Sequence, residues 1–224
     1  MQTKQLALRT RLFTGVAAMA AGCLYTARWI WELSEGILKN RQYPASLTTQ
    51  NFFVVKIFMI VALIAVHATI ADQKSARRSL LLACVGLLLT ATTRTLEACG
   101  APGAWGVYSS PGLLFVFIGL LSAGVVTARV DAYRVLGRLL TSISLLYFTG
   151  GFSSMLFYNL LGRDDSANKL ASTIANLILS AEGVCWILLG LYFLASKRQR
   201  HDFIPSENGS SPFSSNAIKA TVPV

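Results

Sequence analysis

Six long apolar runs dominate the 224-residue chain and decide what it can fold into. The hydrocarbon core of a bilayer is about 30 Å thick, and about 20 apolar residues of α-helix cross it. The sequence therefore predicts an all-α, polytopic integral membrane bundle of about six helices, arranged as three hairpins. The runs lie at about 12–31, 51–71, 79–98, 111–128, 139–161 and 170–195.

The composition supports the same class of protein. Hydrophobic residues make up 54% of the chain and charged residues only 13%, whereas roughly a quarter of the residues in soluble domains are charged. A transmembrane β-barrel would instead show short segments of alternating hydrophobicity. Continuous apolar runs favour helices, which occupy 12–195 and leave no room for an independent soluble domain.

The net charge of +10 is distributed unevenly between alternate connections. Thirteen Lys and Arg residues lie in 1–11, 72–78, 129–138 and 196–224, against four in the intervening connections. The positive-inside rule therefore predicts that both termini are cytosolic. Because the basic residues follow the topology so closely, we expect the lipid bilayer, and not nucleic acid, to be their partner.

Both ends of the chain allow more specific predictions. The basic start and the first apolar run also fit a cleaved signal peptide, but bulky Tyr25 would then lie where a small residue is preferred. We therefore expect an uncleaved first helix behind a short cytosolic N-terminus, 1–11. The tail, 196–224, is rich in Ser, Asn and Pro and is predicted to be disordered.

Glu182 is the only charged residue in the middle of the last apolar run, within SAEGVCW. An ionised carboxylate in lipid is costly, so Glu182 is predicted to face the interior of the bundle. Cys185 and Trp186 would share its face, and Thr149 and His67 are the polar residues expected to reach its layer. Glu182 is interpreted either as a proton- or cation-binding group or as a protonated side chain that holds two helices together.

Two further charge pairs lie near the outer ends of odd-numbered helices. Arg28 and Glu32 are four residues apart, and Arg94 and Glu97 are three apart, so each pair shares a helix face. They are interpreted as structural pairs or as headgroup contacts. Lys56 lies five residues into the second run and is expected to extend its ammonium outward to the headgroups.

The sequence contains no recognisable catalytic or cofactor motif. The four cysteines show no metal-ligand spacing and are expected to be free thiols, with no metal and no cofactor. His67 and His201 are the only histidines, and HExxH, GxSxG and phosphate-binding loops are absent. The protein is therefore not expected to be an enzyme.

The stretch RTLEACGAPGAWGVYSSPGLLFVFI, residues 94–118, resembles a signature of the fungal lipid-translocating exporters, a family of seven-span proteins. Arg94, Glu97 and the aromatic step Phe115-Val116-Phe117 match that signature, whereas Ile118 stands where it has an Asp. The resemblance implies that the protein handles a lipid.

The leading hypothesis is a multi-pass protein that transports or binds a lipid or another amphiphile. Glu182 would be its internal polar group, and Arg94 with Glu97 its outer gate. A membrane scaffold without transport activity and a small-ligand receptor are the alternatives. The ligand, the particular membrane and the oligomeric state do not follow from the sequence.

The predicted topology can be tested at the sequon Asn208-Gly209-Ser210 in the tail. If the tail is cytosolic, the sequon is not glycosylated when the full chain is expressed in eukaryotic cells. Gel mobility before and after glycosidase treatment should then be identical. A glycosidase-sensitive mobility shift would contradict the orientation.

Overall fold

The computed structural model describes residues 2–34, 45–99, 110–160 and 165–195. Six α-helices account for almost all of these residues, and a single 3₁₀ turn, Asp131–Tyr133, precedes the fifth. The helices are α1 Gln2–Trp31, α2 Ala45–Thr69, α3 Lys74–Ala98, α4 Ser110–Ala128, α5 Arg134–Leu160 and α6 Asp165–Ala195.

The helices form a closed ring in chain order. Each helix packs against its neighbours in the sequence, and α6 returns to pack closely against α1. Since consecutive helices are antiparallel, both described connections, 70–73 and 129–133, lie at the same end of the ring. We call this end, which also holds the start of α1 and the end of α6, the basic end.

Five helices contain a stretch that is long and apolar enough to cross a membrane. These stretches are Phe52–Thr69, Lys74–Thr93, Ser110–Ala128, Asp131–Phe152 and Leu170–Ala195. α1 does not reach the same hydropathy, because its uncharged stretch is only the 16 residues between Arg11 and Arg28. Its place in the ring nevertheless makes it part of the bundle, and the predicted all-helical membrane bundle is confirmed.

The core lies on the axis of the ring, where each helix contributes a stripe of buried side chains three or four residues apart. This spacing is that of left-handed helical bundles, in which side chains of one helix fit between those of the next. The stripe on α6 comprises Ala175, Leu179, Glu182, Trp186, Leu189 and Phe193. Glu182 therefore occupies a position that an apolar residue takes elsewhere in the stripe.

Glycines bring α1 and α6 into backbone contact. A Cβ atom added to Gly22 would lie 2.5 Å from the carbonyl oxygen of Gly183, and one added to Gly190 would lie 2.6 Å from that of Gly15. The glycines on each helix are seven residues apart, so both lie on the same face. Such contacts increase dispersion attraction between helices where lipid supplies little hydrophobic drive.

Similar contacts hold α4 to both of its neighbours. A Cβ atom on Gly119 would lie 2.6 Å from the backbone nitrogen of Ala83 in α3, and one on Gly137 would lie 2.3 Å from that of Ala128. α2 contains no glycine and packs more sparsely against α1 and α3 than the other helices pack against one another. It is therefore the least tightly held member of the ring.

Replacing Gly22 by Ala should destabilise the bundle, because the new methyl group would collide with the Gly183 backbone. Overpacking of this kind typically costs about 1–3 kcal/mol. Gly151→Ala is the matched control, since its methyl group would meet only the flexible end of Leu113. Thermal unfolding of the purified protein in detergent should distinguish them, and equal midpoints would contradict the proposed contact.

Candidate functional site

Glu182 lies on the axis of the ring and is completely buried, with 0% of its surface exposed. The indole Nε1 of Trp186, one turn further along α6, donates a hydrogen bond of 3.1 Å to Glu182 Oε1. The hydroxyl group of Tyr25 from α1 lies beside the carboxyl group. The second oxygen, Oε2, has no hydrogen-bond partner among the described residues.

Lys56 of α2 is buried in the same part of the core, with 1% of its surface exposed. Three aromatic rings surround its ammonium group: Nζ lies 4.5 Å from the ring centroid of Tyr147, 5.0 Å from that of Phe52 and 5.4 Å from that of Tyr25. All three distances fall within the range of cation–π attraction. Nζ also lies 3.9 Å from the sulfur of Met59.

Lys56 and Glu182 form a pair of opposite charges in the interior, which we call the core charge pair. Tyr25 lies close to both groups, with its ring centroid 5.4 Å from Lys56 Nζ and its hydroxyl group beside the Glu182 carboxyl group. With little water nearby, attraction between opposite charges is much stronger than at a surface. The pair therefore links α2 to α6, which are not neighbours in the ring.

The expectation that Lys56 reaches outward to the headgroups is wrong. α2 begins at Ala45, whereas the apolar run suggested a start at about 51, so Lys56 lies three turns inside the helix. Lys56 also shares a face with Leu63 and Ile70, which follow at intervals of seven residues and are fully buried. The sequence alone does not single out this face, because Ile57 and Ile64 show the same spacing in the same run and are exposed.

The expectation that Thr149 and His67 reach the layer of Glu182 is also wrong. Thr149 is exposed on the surface of α5; two residues earlier, Tyr147 faces the core instead, because two residues of helix turn a side chain through about 200°. His67 lies near the basic end, where its Nε2 accepts a hydrogen bond of 3.2 Å from Arg77 Nε. Trp186 was correctly expected to share the face of Glu182.

In the first of the two charge pairs near the helix ends, Arg28 lies close to the surroundings of Lys56, since its guanidinium carbon is 5.4 Å from the ring centroid of Phe52, which also contacts Lys56. Arg28 packs against aromatic rings, with its guanidinium carbon 4.9 Å from the ring centroid of Trp29. Glu32 follows α1 in a short π-helical turn. Arg94 and Glu97 lie in α3, but their side chains are outside the described residues.

Polar residues follow one another along the interface of α1 and α6, from Glu182 toward the end of the ring opposite the basic end. The hydroxyl group of Thr26 donates to the carbonyl oxygen of Ser180 over 3.4 Å, one turn beyond the glycine contact of the same interface. Because the helices are antiparallel, a further step outward brings Trp29 level with Asn176. Trp29 lies seven residues from Gly22, and Asn176 lies seven residues from Gly183. Each therefore lies on the face of its helix that meets the other helix.

Six buried polar side-chain atoms of the described residues lack a hydrogen-bond partner: three lie on this route, and the other three, on Gln73 and Thr127, lie at the basic end. Trp29 Nε1 and Asn176 Nδ2 are buried and make no hydrogen bond within the described part of the chain, like Glu182 Oε2. Each such atom carries a desolvation cost of about 1–3 kcal/mol. The interface between Glu182 and the outer end of α6 therefore offers two donors and one acceptor to a polar group.

The core between Glu182 and the basic end is apolar. Large side chains from α2, α3, α5 and α6 fill it and form what we call the apolar plug. Its members are Leu63, Val66, Ile70, Leu80, Leu136, Leu140, Leu189 and Phe193. This layer of hydrocarbon separates Glu182 from the buried polar side-chain atoms nearer the basic end, among them those of Thr14, Gln73 and Thr127.

The remaining candidates for chemistry are few in the described ranges. All four cysteines are free, as expected. In the same ranges, no group of three or more His, Cys, Asp or Glu side chains is placed to hold a metal ion.

Comparison with protein-family models, curated proteins and solved structures finds no match for this chain. Its class follows from the fold and the site alone. The chain is a multi-pass helical membrane protein with a lysine and a glutamate buried in its core.

A double-mutant cycle on the core charge pair tests its energetics. Lys56→Met or Glu182→Leu alone leaves one buried charge uncompensated and should lower the free energy of unfolding by about 3–5 kcal/mol. The double variant removes both charges and should recover most of that loss. Unfolding in detergent measures each value.

Lys74→Met, which alters an exposed lysine on α3, is the matched control and should leave stability nearly unchanged. Strictly additive losses in the cycle would show that Lys56 and Glu182 do not act on each other.

Proposed function

We propose that this protein transports an amphiphile that carries a cationic amine, and that Glu182 binds the amine in exchange for Lys56. The observation that carries the proposal is the core charge pair, in which a buried carboxylate retains an oxygen without a hydrogen-bond partner. A ligand amine is a donor of the right charge for that oxygen.

Stability alone is a weak reason for such a pair. Replacing a buried ion pair by apolar residues of similar volume is often neutral or stabilising, by about 1–4 kcal/mol. Ionisable residues inside membranes mark substrate and ion pathways as a rule. Lys56 and Glu182 occupy stripe positions where apolar side chains would pack without this penalty, which supports a role beyond packing.

The aromatic surroundings of Lys56 support an ammonium as the recognised group. Rings on several sides of a cation form the kind of cage that binds alkylammonium ligands. In the closed ring Lys56 supplies that ammonium itself. Its ammonium group would therefore occupy the position of the ligand's amine and compensate the negative charge of Glu182 while no ligand is bound.

The position of the pair suggests how a ligand reaches it. The polar donors of Trp29 and Asn176 lead inward from the outer end, whereas the apolar plug blocks the way to the basic end. Exchange requires Lys56 to withdraw, and Lys56 lies on α2, the helix with the sparsest packing. We propose that outward movement of α2 separates the charges and opens the site, as in transporters that alternate access around a central site.

The similarity of residues 94–118 to fungal lipid-translocating exporters supports a lipid as the cargo. A scaffold without transport activity is the second candidate. It is favoured by the backbone contacts of Gly15, Gly22, Gly183 and Gly190, which close the ring tightly, and by the nearly complete burial of both charges.

Retention of a fluorescent long-chain base by cells distinguishes the two candidates. Cells would carry no protein, wild type, Glu182→Gln, or the double variant Lys56→Met/Glu182→Leu, at equal membrane abundance. We expect only the wild type to change retention of the base, because both variants lack the carboxylate. A neutral lipid with the same fluorophore should be unaffected in every strain.

Asp72→Asn is the matched control, since it removes an exposed carboxylate at the basic end and should behave like wild type. The double variant is decisive because it is expected to fold. If it transports the base as wild type does, Glu182 is not the site. If wild type has no effect on the base, the transport proposal fails and the scaffold is favoured.

A further inference from the structure

A second polar feature lies at the basic end, away from the core charge pair. There α4 and α5 enclose a groove of about 490 Å³. It combines two arginines and two hydroxyl groups with small apolar side chains. Its lining residues are Val125, Ala128, Arg129, Arg138, Thr141 and Ser142.

Close packing of α4 and α5 creates the groove. A Cβ atom on Gly124 would lie 2.7 Å from the backbone nitrogen of Thr141, so the two helices touch at their backbones beside it. The Thr141 hydroxyl donates a hydrogen bond of 3.0 Å to the carbonyl oxygen of Gly137. That hydrogen bond lies within α5, whereas the backbone contact at Gly124 holds α4 against α5, so that Arg129 and Arg138 line the same groove.

The charges of the groove are not balanced locally. Asp131 is the only acidic residue between Arg129 and Arg138, and its carboxylate forms an ion pair with Arg134. Within the described ranges no carboxylate pairs with either groove arginine. The groove therefore presents two positive charges, and Ser142 is exposed beside them.

The groove continues into the apolar outer surface of the bundle. Val125 is 41% exposed, and Ile118, seven residues earlier on the same face of α4, is 48% exposed. On α5, Leu145 follows Ser142 by three residues and is 48% exposed. A cationic groove thus adjoins a strip of hydrocarbon that faces the lipid chains.

We propose that this groove binds the phosphate-bearing headgroup of an anionic lipid from the adjacent leaflet. The guanidinium groups of Arg129 and Arg138 hold the phosphate oxygens, since arginine forms paired hydrogen bonds with phosphate. The acyl chains lie along Ile118, Val125 and Leu145. Because the site is separate from the core charge pair, it does not depend on the proposed transport activity.

Binding of fluorescent phosphatidic acid to the full-length protein in phosphatidylcholine nanodiscs tests the site. We expect Arg129→Gln/Arg138→Gln to weaken binding by roughly ten-fold or more, since each substitution removes the direct hydrogen bonds of one guanidinium group to the phosphate. Lys74→Gln/Arg78→Gln is the matched control, because it removes two exposed charges from the same end. It should retain most of the affinity.

A second variant tests the same groove without removing an arginine. Ser142→Glu places a negative charge beside the phosphate and should also weaken binding, whereas Ser142→Ala should not. If Lys74→Gln/Arg78→Gln lost as much affinity for phosphatidic acid as Arg129→Gln/Arg138→Gln, the proposal would be overturned, because only net charge would then matter. Competition by millimolar inorganic phosphate would show a site for the free anion and contradict the lipid as its occupant.

Discussion

The burial of Lys56 and Glu182 in one hydrocarbon-filled bundle is the constraint on which the rest of the structure depends. An isolated charge at this depth would be too costly to retain. Two opposite charges in one core can be retained when polar and aromatic groups surround them. Trp186, Tyr25 and Tyr147 supply those groups from three helices, so the ring must place α1, α2, α5 and α6 around a common axis.

Closing that ring relies on glycine at the interface between the first and last helices. Gly22 and Gly183 let two backbones meet directly beside Glu182, which closes the core laterally against lipid. α2 has no such residue and carries Lys56. The structure thus places the carboxylate on a tightly packed pair of helices and the lysine on the most sparsely packed helix, and the proposed exchange would use this difference.

The helices and the burial of Glu182 could be predicted because both signals are local. Hydropathy is a property of each run by itself, and a single carboxylate in an apolar helix is expected to face away from the lipid. The depth of Lys56 was missed because it depends on residues 45–50, which are helical without being apolar. The pairing of α1 with α6 could not be predicted either, since it joins opposite ends of the chain. The error at Thr149 has a similar origin, because which face of α5 turns inward is decided by its neighbours.

The neutrality of the core charge pair bears on selectivity under the proposed exchange. While Lys56 faces Glu182, the interior carries no net charge and the membrane potential does little work on it. A cationic amine that replaces Lys56 preserves this neutrality at Glu182. A neutral lipid would leave the carboxylate uncompensated in a medium of low dielectric constant, at a cost of several kcal/mol. Discrimination would then come from the penalty on the wrong ligand as much as from attraction to the right one.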